Sequence, residues 1–533
     1  MTLHERLNGM TIGSVLASRA TSDPSRAYLV DDGGVMSFAE VDGQSEAMAA
    51  SLSNLGVGAG DRVALILPAC VEFVVSAFAA AKLGAVIVPL NPRSSLPELH
   101  YMLRHSEASC AVTIERHAGL EYLEVFEELM PQLPALAFLV TVGEGDLWYD
   151  DRIVQYEDML SSGSGRDYHG GVPDADDSFA LLYTSGTSGK PKGVELSHAN
   201  LLWGGAVTAE ALEMTVEDRV VGISALFHVF GLASGLLAAL ASGASIILQV
   251  DGSASSTLAA VEDHSATIHF GIPTLFLQAL RELPARTRDL STLRLAVVAG
   301  APVGDELVRD LSIALGVPAV AGYSLTEGSS LLSVCRADDA PEKRRFTLGR
   351  PMTGADVRIV DVSESREEML PVESVGEIRV RGPGMMLGYY RQPKQTADAL
   401  DRDGFFRTGD LGLLDEEGFL HLVGRTKDVI IRSGFNVYPR EVETRIEAHP
   451  AVHEVAAIGV ADPLLGEALC ACVVPVEGAI VTDQELVDWC RETLADEKVP
   501  DLVTFLDELP RSDTGQVRRA ALSRTVVAEG QSD

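Results

Sequence analysis

The chain has 533 residues, of which 46% are hydrophobic and 22% are charged. A globular chain of this length is too long for one hydrophobic core and is expected to form several. With 77 acidic and 42 basic residues, its formal net charge is −35, which opposes binding to nucleic acid and to anionic membranes. We interpret the acidity as a solubilising surface and expect a monomer or homodimer.

Cysteine usage and hydropathy predict a cytoplasmic protein without membrane insertion. The six cysteines are scattered and form no metal-binding pattern, as is typical of reduced thiols. We expect no signal peptide, because the N-terminus lacks a basic segment followed by an apolar one. Residues 220–250 contain no Asp, Glu, Lys or Arg, but their Gly and Ser content favours a buried helix leading into a strand over a membrane span.

Strand and helix patterns alternate over the first two thirds of the chain. Apolar runs at 62–68 and 85–90 flank a helical pattern at 71–83, and this spacing predicts a parallel sheet covered on both faces. The alternation recurs from 177 to 335, with strands predicted near 179, 219, 245, 267, 294 and 318. The fold class is therefore α/β, with two lobes at about 1–170 and 171–340.

The last third of the chain changes character. Short alternating strands with Gly and Pro turns predict a small β-barrel at about 341–423. A compact α+β unit follows Gly424, with strands near 428, 453 and 468 and a helix at 483–495. We therefore expect a large N-terminal part of two α/β lobes plus a barrel, followed by a small C-terminal α+β domain.

The segment from Tyr183 to His198 carries the strongest functional signal. It follows an apolar run at 179–183 and so forms the turn after a strand. Hydroxyls, glycine amides and lysines on one turn make a cradle for a polyphosphate. The contributing residues are Thr184, Ser185, Gly186, Thr187, Ser188, Gly189, Lys190 and Lys192. Thr184 and Pro191 exclude a Walker P-loop, and a solvated Gly/Ser linker is the simpler alternative.

A second cluster follows the strand predicted near 318. Ligands bind at the carboxyl ends of parallel strands, and the turn at 322–327 lies at such an end. Tyr323 can cover an aromatic base and Thr326 can donate to a phosphate oxygen. Glu327 can hold Mg²⁺, with Thr184 as a second candidate ligand. A surface turn that starts a helix is the alternative.

Two further polar positions suit a sugar. Asp410 lies in a turn between glycines, and its two carboxylate oxygens can each accept one hydroxyl of a ribose diol. Arg425 offers a guanidinium to the same sugar or its phosphate. Taken singly, each is better explained by a solvated turn with a surface charge.

Together these segments resemble the motifs of the adenylate-forming superfamily, which includes acyl-CoA synthetases, aryl-CoA ligases, luciferases and the adenylation domains of peptide synthetases. The motifs occur in family order from 183 to 443, and the chain looks most like an AMP-forming acyl-CoA synthetase. The resemblance implies that a small or medium carboxylic acid attacks the α-phosphate of Mg²⁺-bound ATP, giving acyl-AMP and pyrophosphate. A thiol, usually coenzyme A, then displaces AMP.

The resemblance also implies individual roles. Catalytic roles fall to Thr184, Lys190, Thr326, Glu327, His228 and the residue at position 516. The loop that contacts adenine is Ala299, Gly300, Ala301 and Pro302, and the ribose is held by Asp410 and Arg425. Lys427 is the expected hinge between an N-terminal domain at 1–426 and a mobile C-terminal domain at 427–533. Ser433, in place of a family Gly, and Gly434 line the expected pantetheine tunnel.

By the same resemblance, an acyl pocket lies around the His228 motif. Its expected lining is Phe227, His228, Val229, Phe230, Gly231, His269, Gly271 and Gly322. The absence of Lys and Arg from this set disfavours a dicarboxylate and favours a medium aliphatic or aromatic acid. For His228 alone, a satisfied core histidine is the simpler interpretation.

Gln516 departs from the family pattern, which has a lysine at this position. An amide can donate a hydrogen bond but brings no charge to a developing polyanion, and losing such a group can cost roughly 10²–10³ in rate. An engineered substitution, a slow natural ligase and altered chemistry are all open explanations. Besides an acyl-CoA synthetase, we therefore consider an adenylating relative that activates an oxyanion such as nitrite or forms amides without CoA. A non-catalytic nucleotide-binding protein is the third hypothesis.

Overall fold

The computed structural model describes residues 1–143, 150–168, 171–184, 190–223, 225–283, 288–361, 368–433, 435–462, 465–511 and 517–530. The backbone divides into two compact units. The first comprises Met1–Asp356 and Arg381–Phe406, and the second comprises Val357–Val380 and Arg407–Asp533. The predicted α/β class, with a large N-terminal part and a smaller C-terminal part, is confirmed.

One layer of the first unit is an eight-stranded sheet. In spatial order its described strands are Gly388–Tyr389, Lys192–Ser197, Ser178–Thr184, Val86–Pro89, Arg62–Ile66, Cys110–Ile114, Phe138–Val142 and Ile153–Gln155. Helix Val71–Leu83 joins two of its parallel strands at the predicted position. Residues 73–83 are all buried because all but Ser76 and Lys82 are apolar, and Gly84 ends the helix with a φ of 69°.

A second layer is a nine-stranded sheet. In spatial order its described strands are Arg350–Pro351, Ser330–Val334, Ala319–Leu325, Leu295–Val298, Ile268–Gly271, Arg219–Val221, Ser245–Ile247, Ala27–Asp31 and Gly34–Ser37. The strands predicted near 219, 245, 267, 294 and 318 are all present, and they pair in parallel. Ala27–Asp31 belongs to this sheet and Ser178–Thr184 to the other, so neither sheet is confined to one side of residue 170.

The uncharged segment 220–250 folds into the core. It contains the π-helix Phe230–Leu237, the helix Ala238–Ser242 and the strand Ser245–Ile247, and every residue of the π-helix is buried. Within the described ranges, no helix has both the length and the apolar character that a membrane crossing requires. The expectation of a buried helix leading into a strand is confirmed.

A single hydrophobic core contains side chains from both sheets of the first unit, including Val63 and Ile246. Tyr28 stacks on Phe38 with 4.5 Å between ring centroids, and its hydroxyl donates to the carbonyl of Leu236 at 3.2 Å. The two sheets therefore pack as one body.

Helices cover the sheets of the first unit. Besides those already named they are Leu3–Leu7, Ile12–Ser22, Phe38–Asn54, Leu96–Ser106, Tyr122–Leu129, Tyr156–Gly163, His198–Ala211, Ala254–His264, Pro273–Glu282, Asp305–Leu315, Pro341–Phe346 and Pro393–Asp398. Three elements matter most for the candidate site: helix Leu96–Ser106 and the two consecutive strands Ser178–Thr184 and Lys192–Ser197.

The second unit contains a four-stranded and a five-stranded sheet among its described residues. The four strands are Asp356–Val360, Gly376–Arg381, Phe406–Leu414 and Leu420–Arg425; the five are Phe435–Val437, Ile430–Arg432, Gly466–Pro475, Val452–Asp462 and Leu502–Phe505. Its helices are Pro439–Glu447, Asp483–Arg491 and Arg519–Gly530. The helix predicted at 483–495 begins with a capping box of Thr482 and Glu485 but ends at Arg491.

Two buried histidines lie in the core of the first unit. His198 and His269 are each 0% exposed. The Nδ1 of His198 accepts from the amide of Ile12 at 3.3 Å, whereas neither ring nitrogen of His269 has a partner among the described residues. Burial lowers the pKa of each ring to about 4, because a charged imidazolium would lose its hydration.

These histidines predict a pH-dependent loss of stability. In the unfolded chain a histidine has a pKa of about 6.5, so between about pH 4 and 6.5 the unfolded state binds more protons. The stability is fully present above that window and is lost as the pH falls through it, by at most about 1.4 kcal/mol per pH unit for each ring. The free energy of unfolding, measured by denaturant titration at several pH values, should rise less steeply with pH for His269→Leu than for wild type. The exposed His453 provides the control, and an equal slope for His269→Leu and His453→Leu would contradict the assignment.

Candidate functional site

The segment predicted to bind a polyphosphate lies between two antiparallel strands. Strand Ser178–Thr184 pairs with Lys192–Ser197, and Thr184 lies opposite Lys192. The two strands that flank the segment therefore form a β-hairpin, whereas a P-loop leads from a strand into a helix. Residues Ser185, Gly186, Thr187, Ser188 and Gly189 lie outside the described residues. Thr184, Lys190 and Lys192 bracket them at the two ends.

Aromatic side chains from helix Leu96–Ser106 support the base of this hairpin. The hydroxyl of Tyr101 donates to the carbonyl of Pro191 at 3.2 Å, and Lys190 Nζ lies 5.8 Å from the Tyr101 ring centroid. On the other strand, the hydroxyl of Tyr183 lies 2.8 Å from Nδ1 of His105. One helix thus contacts both ends of the turn. These contacts could not be predicted from the sequence, because the helix lies about eighty residues earlier in the chain and carries no motif.

Glu327 lies at the end of the strand Ala319–Leu325, in a single 3₁₀ turn that also contains Thr326. Both side chains are 9% exposed. The hydroxyl of Tyr389 donates to Glu327 Oε1 at 2.8 Å, and Lys192 Nζ lies 4.4 Å from the centroid of the same ring. Burial and the adjacent carboxylate raise the pKa of Tyr389 well above its ordinary value, so the phenol stays protonated and donates. The structure thus brings Lys192 of the hairpin and Glu327 together through one tyrosine.

His228 has its tautomer fixed by the backbone. Its Nδ1 accepts from the amide of Phe230 at 3.2 Å, so the neutral ring carries its proton on Nε2. Burial lowers the pKa of His228, which keeps the ring neutral near pH 7. Phe227 and Val229 flank it, and the π-helix begins at Phe230. This arrangement provides an uncharged N–H donor beside an apolar helix.

The predicted adenine loop meets the predicted acyl pocket at Gly300. Ala299 follows the strand Leu295–Val298, and Ala301 and Pro302 complete the loop. Gly300 has a φ of 85°, and a Cβ placed there would lie 3.3 Å from Ile272 Cγ2 and 3.9 Å from Phe230 Cδ1. The two predicted segments are therefore neighbours at the carboxyl ends of parallel strands, where ligands bind in such sheets.

Other predicted pocket residues serve close packing. A Cβ on Gly271 would lie 2.7 Å from the ring of Phe276, and a Cβ on Gly231 would lie 2.2 Å from the carbonyl oxygen of Ala225. At Gly322 it would lie 2.8 Å from Leu331. The ring of His269 lies 4.5 Å from that of Phe276 and is fully buried, so it does not border open space.

In the second unit, Asp410 and Arg425 are partners. They lie opposite each other on strands Phe406–Leu414 and Leu420–Arg425, and Arg425 Nε lies 2.9 Å from Asp410 Oδ1. Asp410 is buried, whereas Arg425 is exposed. The carboxylate is thus held in place by the guanidinium predicted to act on the same sugar.

The predicted hinge and tunnel residues follow in the same unit. Lys427 lies exposed in the single 3₁₀ turn Thr426–Asp428, directly after strand Leu420–Arg425. Ser433 has a φ of 52°, a left-handed conformation that favours glycine, and its amide donates to the carbonyl of Leu465 at 2.6 Å. Gly434 and Gln516 lie outside the described residues.

The described residues contain no group of three or more His, Cys, Asp or Glu that could hold a metal ion by themselves. This does not conflict with a role for Mg²⁺, which is commonly held by one or two carboxylates together with substrate phosphates. Glu327, which is linked to Lys192 of the hairpin through Tyr389, is the carboxylate that we predict for this role.

Comparison with known proteins agrees with this geometry. Residues 16–390 match the AMP-binding enzyme family, and residues 441–516 match the AMP-binding enzyme C-terminal domain. A feruloyl-CoA synthase from Amycolatopsis sp is 35% identical over 96% of this chain and 98% of its own length.

Two solved structures are similar over nearly the whole chain. ATP-bound MatB from Rhodopseudomonas palustris has a TM-score of 0.87 at 29% identity, covering 97% of this chain and 99% of that one. The anthranilate CoA ligase AuaEII in complex with anthranoyl-AMP has a TM-score of 0.87 at 26% identity, and the match covers 99% of this chain and 100% of the ligase chain. With the two family matches and the full-length relative, they establish that this chain belongs to the AMP-binding enzyme family and is an adenylate-forming ligase of the acyl-CoA synthetase type.

Proposed function

We propose that the protein activates a small or medium aliphatic or aromatic carboxylic acid as acyl-AMP and transfers the acyl group to coenzyme A. The observation that carries the proposal is the link from Lys192 through Tyr389 to Glu327, which joins a phosphate-binding hairpin to a buried carboxylate. Relatives named as CoA ligases of ferulate and anthranilate support a carboxylic acid as the substrate.

The surroundings of His228 favour an uncharged acyl chain. Phe230 and Ile272 provide apolar surface near Gly300, and His228 contributes a neutral N–H. A second carboxylate would have no cationic partner among the predicted pocket residues, and burying it unpaired would be costly. Aromatic acids, which offer a flat apolar ring, are the class we favour.

Each residue has a proposed part in adenylation. Thr184, Lys190 and residues 185–189 bind the phosphates. Glu327 and Thr184 would hold Mg²⁺, which would neutralise charge on the phosphates. Thr326 donates to the α-phosphate region, and Tyr323 with residues 299–302 contacts adenine. Asp410, oriented by Arg425, accepts the ribose hydroxyls. Cations and fixed donors at these positions stabilise the charge that builds on the phosphate oxygens.

Product analysis tests the substrate and the acceptor together. Pyrophosphate release should be measured with aromatic acids, medium-chain aliphatic acids and dicarboxylates, with and without CoA. We expect aromatic or medium-chain acids to give acyl-AMP alone and the thioester when CoA is added. Thioester formation from none of these acids would overturn the proposal.

Gln516 supports a second candidate, an adenylating enzyme with altered chemistry. The enzyme would then form product from nitrite and an arylamine, or from a carboxylic acid and an amine that replaces CoA as the acceptor. The same assay distinguishes this candidate by its diazo or amide product. Absence of pyrophosphate release with every pair, alongside retained ATP binding, would indicate a non-catalytic nucleotide-binding protein.

Replacing Glu327 should weaken binding of Mg·ATP. Glu327→Ala removes the proposed metal ligand, and the loss of a charged contact of this kind is expected to lower affinity about 10- to 100-fold, or ~1.4–2.8 kcal/mol. Calorimetry with Mg·ATP measures this directly. Glu127→Ala, at an exposed glutamate of helix Tyr122–Leu129, is the control. Unchanged affinity and turnover would remove Glu327 from the site.

Lys427→Pro tests the proposed hinge. Proline fixes φ in the turn Thr426–Asp428 and should impair one half-reaction more than the other, because the two halves require different positions of the C-terminal domain. Acyl-AMP formation and thioester formation from preformed acyl-AMP should be timed separately. Lys427→Ala, which keeps the backbone free, is the control. Equal losses in both halves with a lowered Tm would mean that Lys427 is only structural.

Gln516→Lys tests whether a cation is missing from the adenylation step. If the chain is a conventional carboxylate adenylator, a charged donor should accelerate acyl-AMP formation by roughly one to three orders of magnitude. Thioester formation from preformed acyl-AMP should barely change, and Gln516→Ala should not accelerate either step. If Gln516→Lys leaves adenylation unchanged or slower, Gln516 belongs to the native chemistry and the second candidate becomes the better one.

A further inference from the structure

Tyr389 is buried between the two motifs of the candidate site, and the sequence gives no sign of it. Its side chain is 7% exposed. One end of the phenol donates to Glu327 Oε1 at 2.8 Å, and the ring face lies 4.4 Å from Lys192 Nζ. We propose that Tyr389 is a positioning residue that orients the Glu327 carboxylate for Mg²⁺ and sets its spacing from the phosphate-binding hairpin. The inference rests on the proposed Mg²⁺ role of Glu327.

The backbone around Tyr389 is fixed on both sides. Strand Gly388–Tyr389 pairs with strand Lys192–Ser197, with Tyr389 opposite Val194. Its amide donates to Oγ1 of Thr396 at 2.9 Å, and the amide of Met386 donates to the carbonyl of Glu327 at 2.8 Å. Because the backbone on both sides of Tyr389 is held in this way, the position of its hydroxyl is restricted. The hydroxyl therefore sets the orientation of the Glu327 carboxylate, rather than the reverse.

The hydrogen bond is directional and strong enough to matter. The phenolic hydroxyl of Tyr389 is the donor and the Glu327 carboxylate is the acceptor, and a bond from a neutral donor to a carboxylate is stronger than one between neutral groups. It occupies one side of Glu327 Oε1 and so restricts rotation of the carboxylate plane. Partners of this kind behind a metal-binding side chain commonly change metal affinity about 10- to 100-fold when removed.

The ring has a separate role toward Lys192. An ammonium group above a tyrosine ring is attracted by the π-electrons, and the attraction grows when the pair is shielded from water. The ring thereby holds Lys192 Nζ at the base of the hairpin, close to where the phosphates are proposed to bind. Removing only the hydroxyl should therefore affect the metal, whereas removing the ring should also affect the nucleotide.

The test is equilibrium binding of α,β-methylene-ATP, measured by calorimetry over a series of Mg²⁺ concentrations. Tyr389→Phe should need about tenfold more Mg²⁺ for half-maximal affinity, while the affinity at saturating Mg²⁺ should stay within about twofold of wild type. Tyr389→Leu should show the same metal shift and a lower affinity at saturation. In the Glu327→Ala background, Tyr389→Phe should cause no further shift, because residues that act through one another are not additive.

Tyr122→Phe is the matched control. Tyr122 is likewise buried, and its hydroxyl donates to a backbone carbonyl, that of Pro92, far from both motifs in the chain. Tyr122→Phe should lower Tm about as much as Tyr389→Phe does, but it should not change the Mg²⁺ requirement. An unchanged Mg²⁺ requirement in Tyr389→Phe, an equal shift in Tyr122→Phe, or an undiminished shift in the Glu327→Ala background would each overturn the inference. If wild-type binding itself does not depend on Mg²⁺, the proposed metal role fails and the inference fails with it.

Discussion

The contact on which the candidate site depends is the buried hydrogen bond from Tyr389 to Glu327. Glu327 belongs to the nine-stranded sheet region and Lys192 to the eight-stranded sheet, and Tyr389 contacts both. A shared core packs the two sheets together, and a close-packed core leaves them little freedom to shift against each other. In this setting, one phenol is enough to set the spacing between Lys192 of the hairpin and Glu327. A site assembled from two sheets therefore takes its spacing from a side chain that contacts both motifs.

The features predicted correctly from the sequence are those encoded locally. Helix Val71–Leu83 and the strands near 219, 245, 267, 294 and 318 follow from hydrophobic runs whose lengths and end residues decide the structure. The helix predicted at 483–495 ends at Arg491, because periodicity indicates the existence of a helix better than its last turn. The motif residues around Glu327 are placed at a strand end, as their position after an apolar run indicates.

The features that sequence analysis missed are long-range. Tyr101, His105 and Tyr389 contact the hairpin and Glu327 from segments that are distant in the chain, and an isolated tyrosine in a sequence carries no sign of its partner. His269 illustrates the opposite case. It lies in the strand Ile268–Gly271 near a predicted pocket, but a strand directs alternate side chains to opposite faces, and its ring is buried against Phe276. The register of the strand decides on which face of the sheet the His269 side chain lies, and the sequence alone does not fix that register.

The two departures from the family pattern in the second unit differ in kind. Ser433 retains a left-handed φ of 52° although a side chain there costs roughly 1–2 kcal/mol relative to glycine. The hydrogen bond from its amide to the carbonyl of Leu465 holds the backbone in that conformation. Gln516, by contrast, replaces a charge with a neutral amide, which no adjustment of the backbone can restore. The first substitution therefore alters local strain and the second alters electrostatics, and only the second bears on which chemistry the enzyme performs.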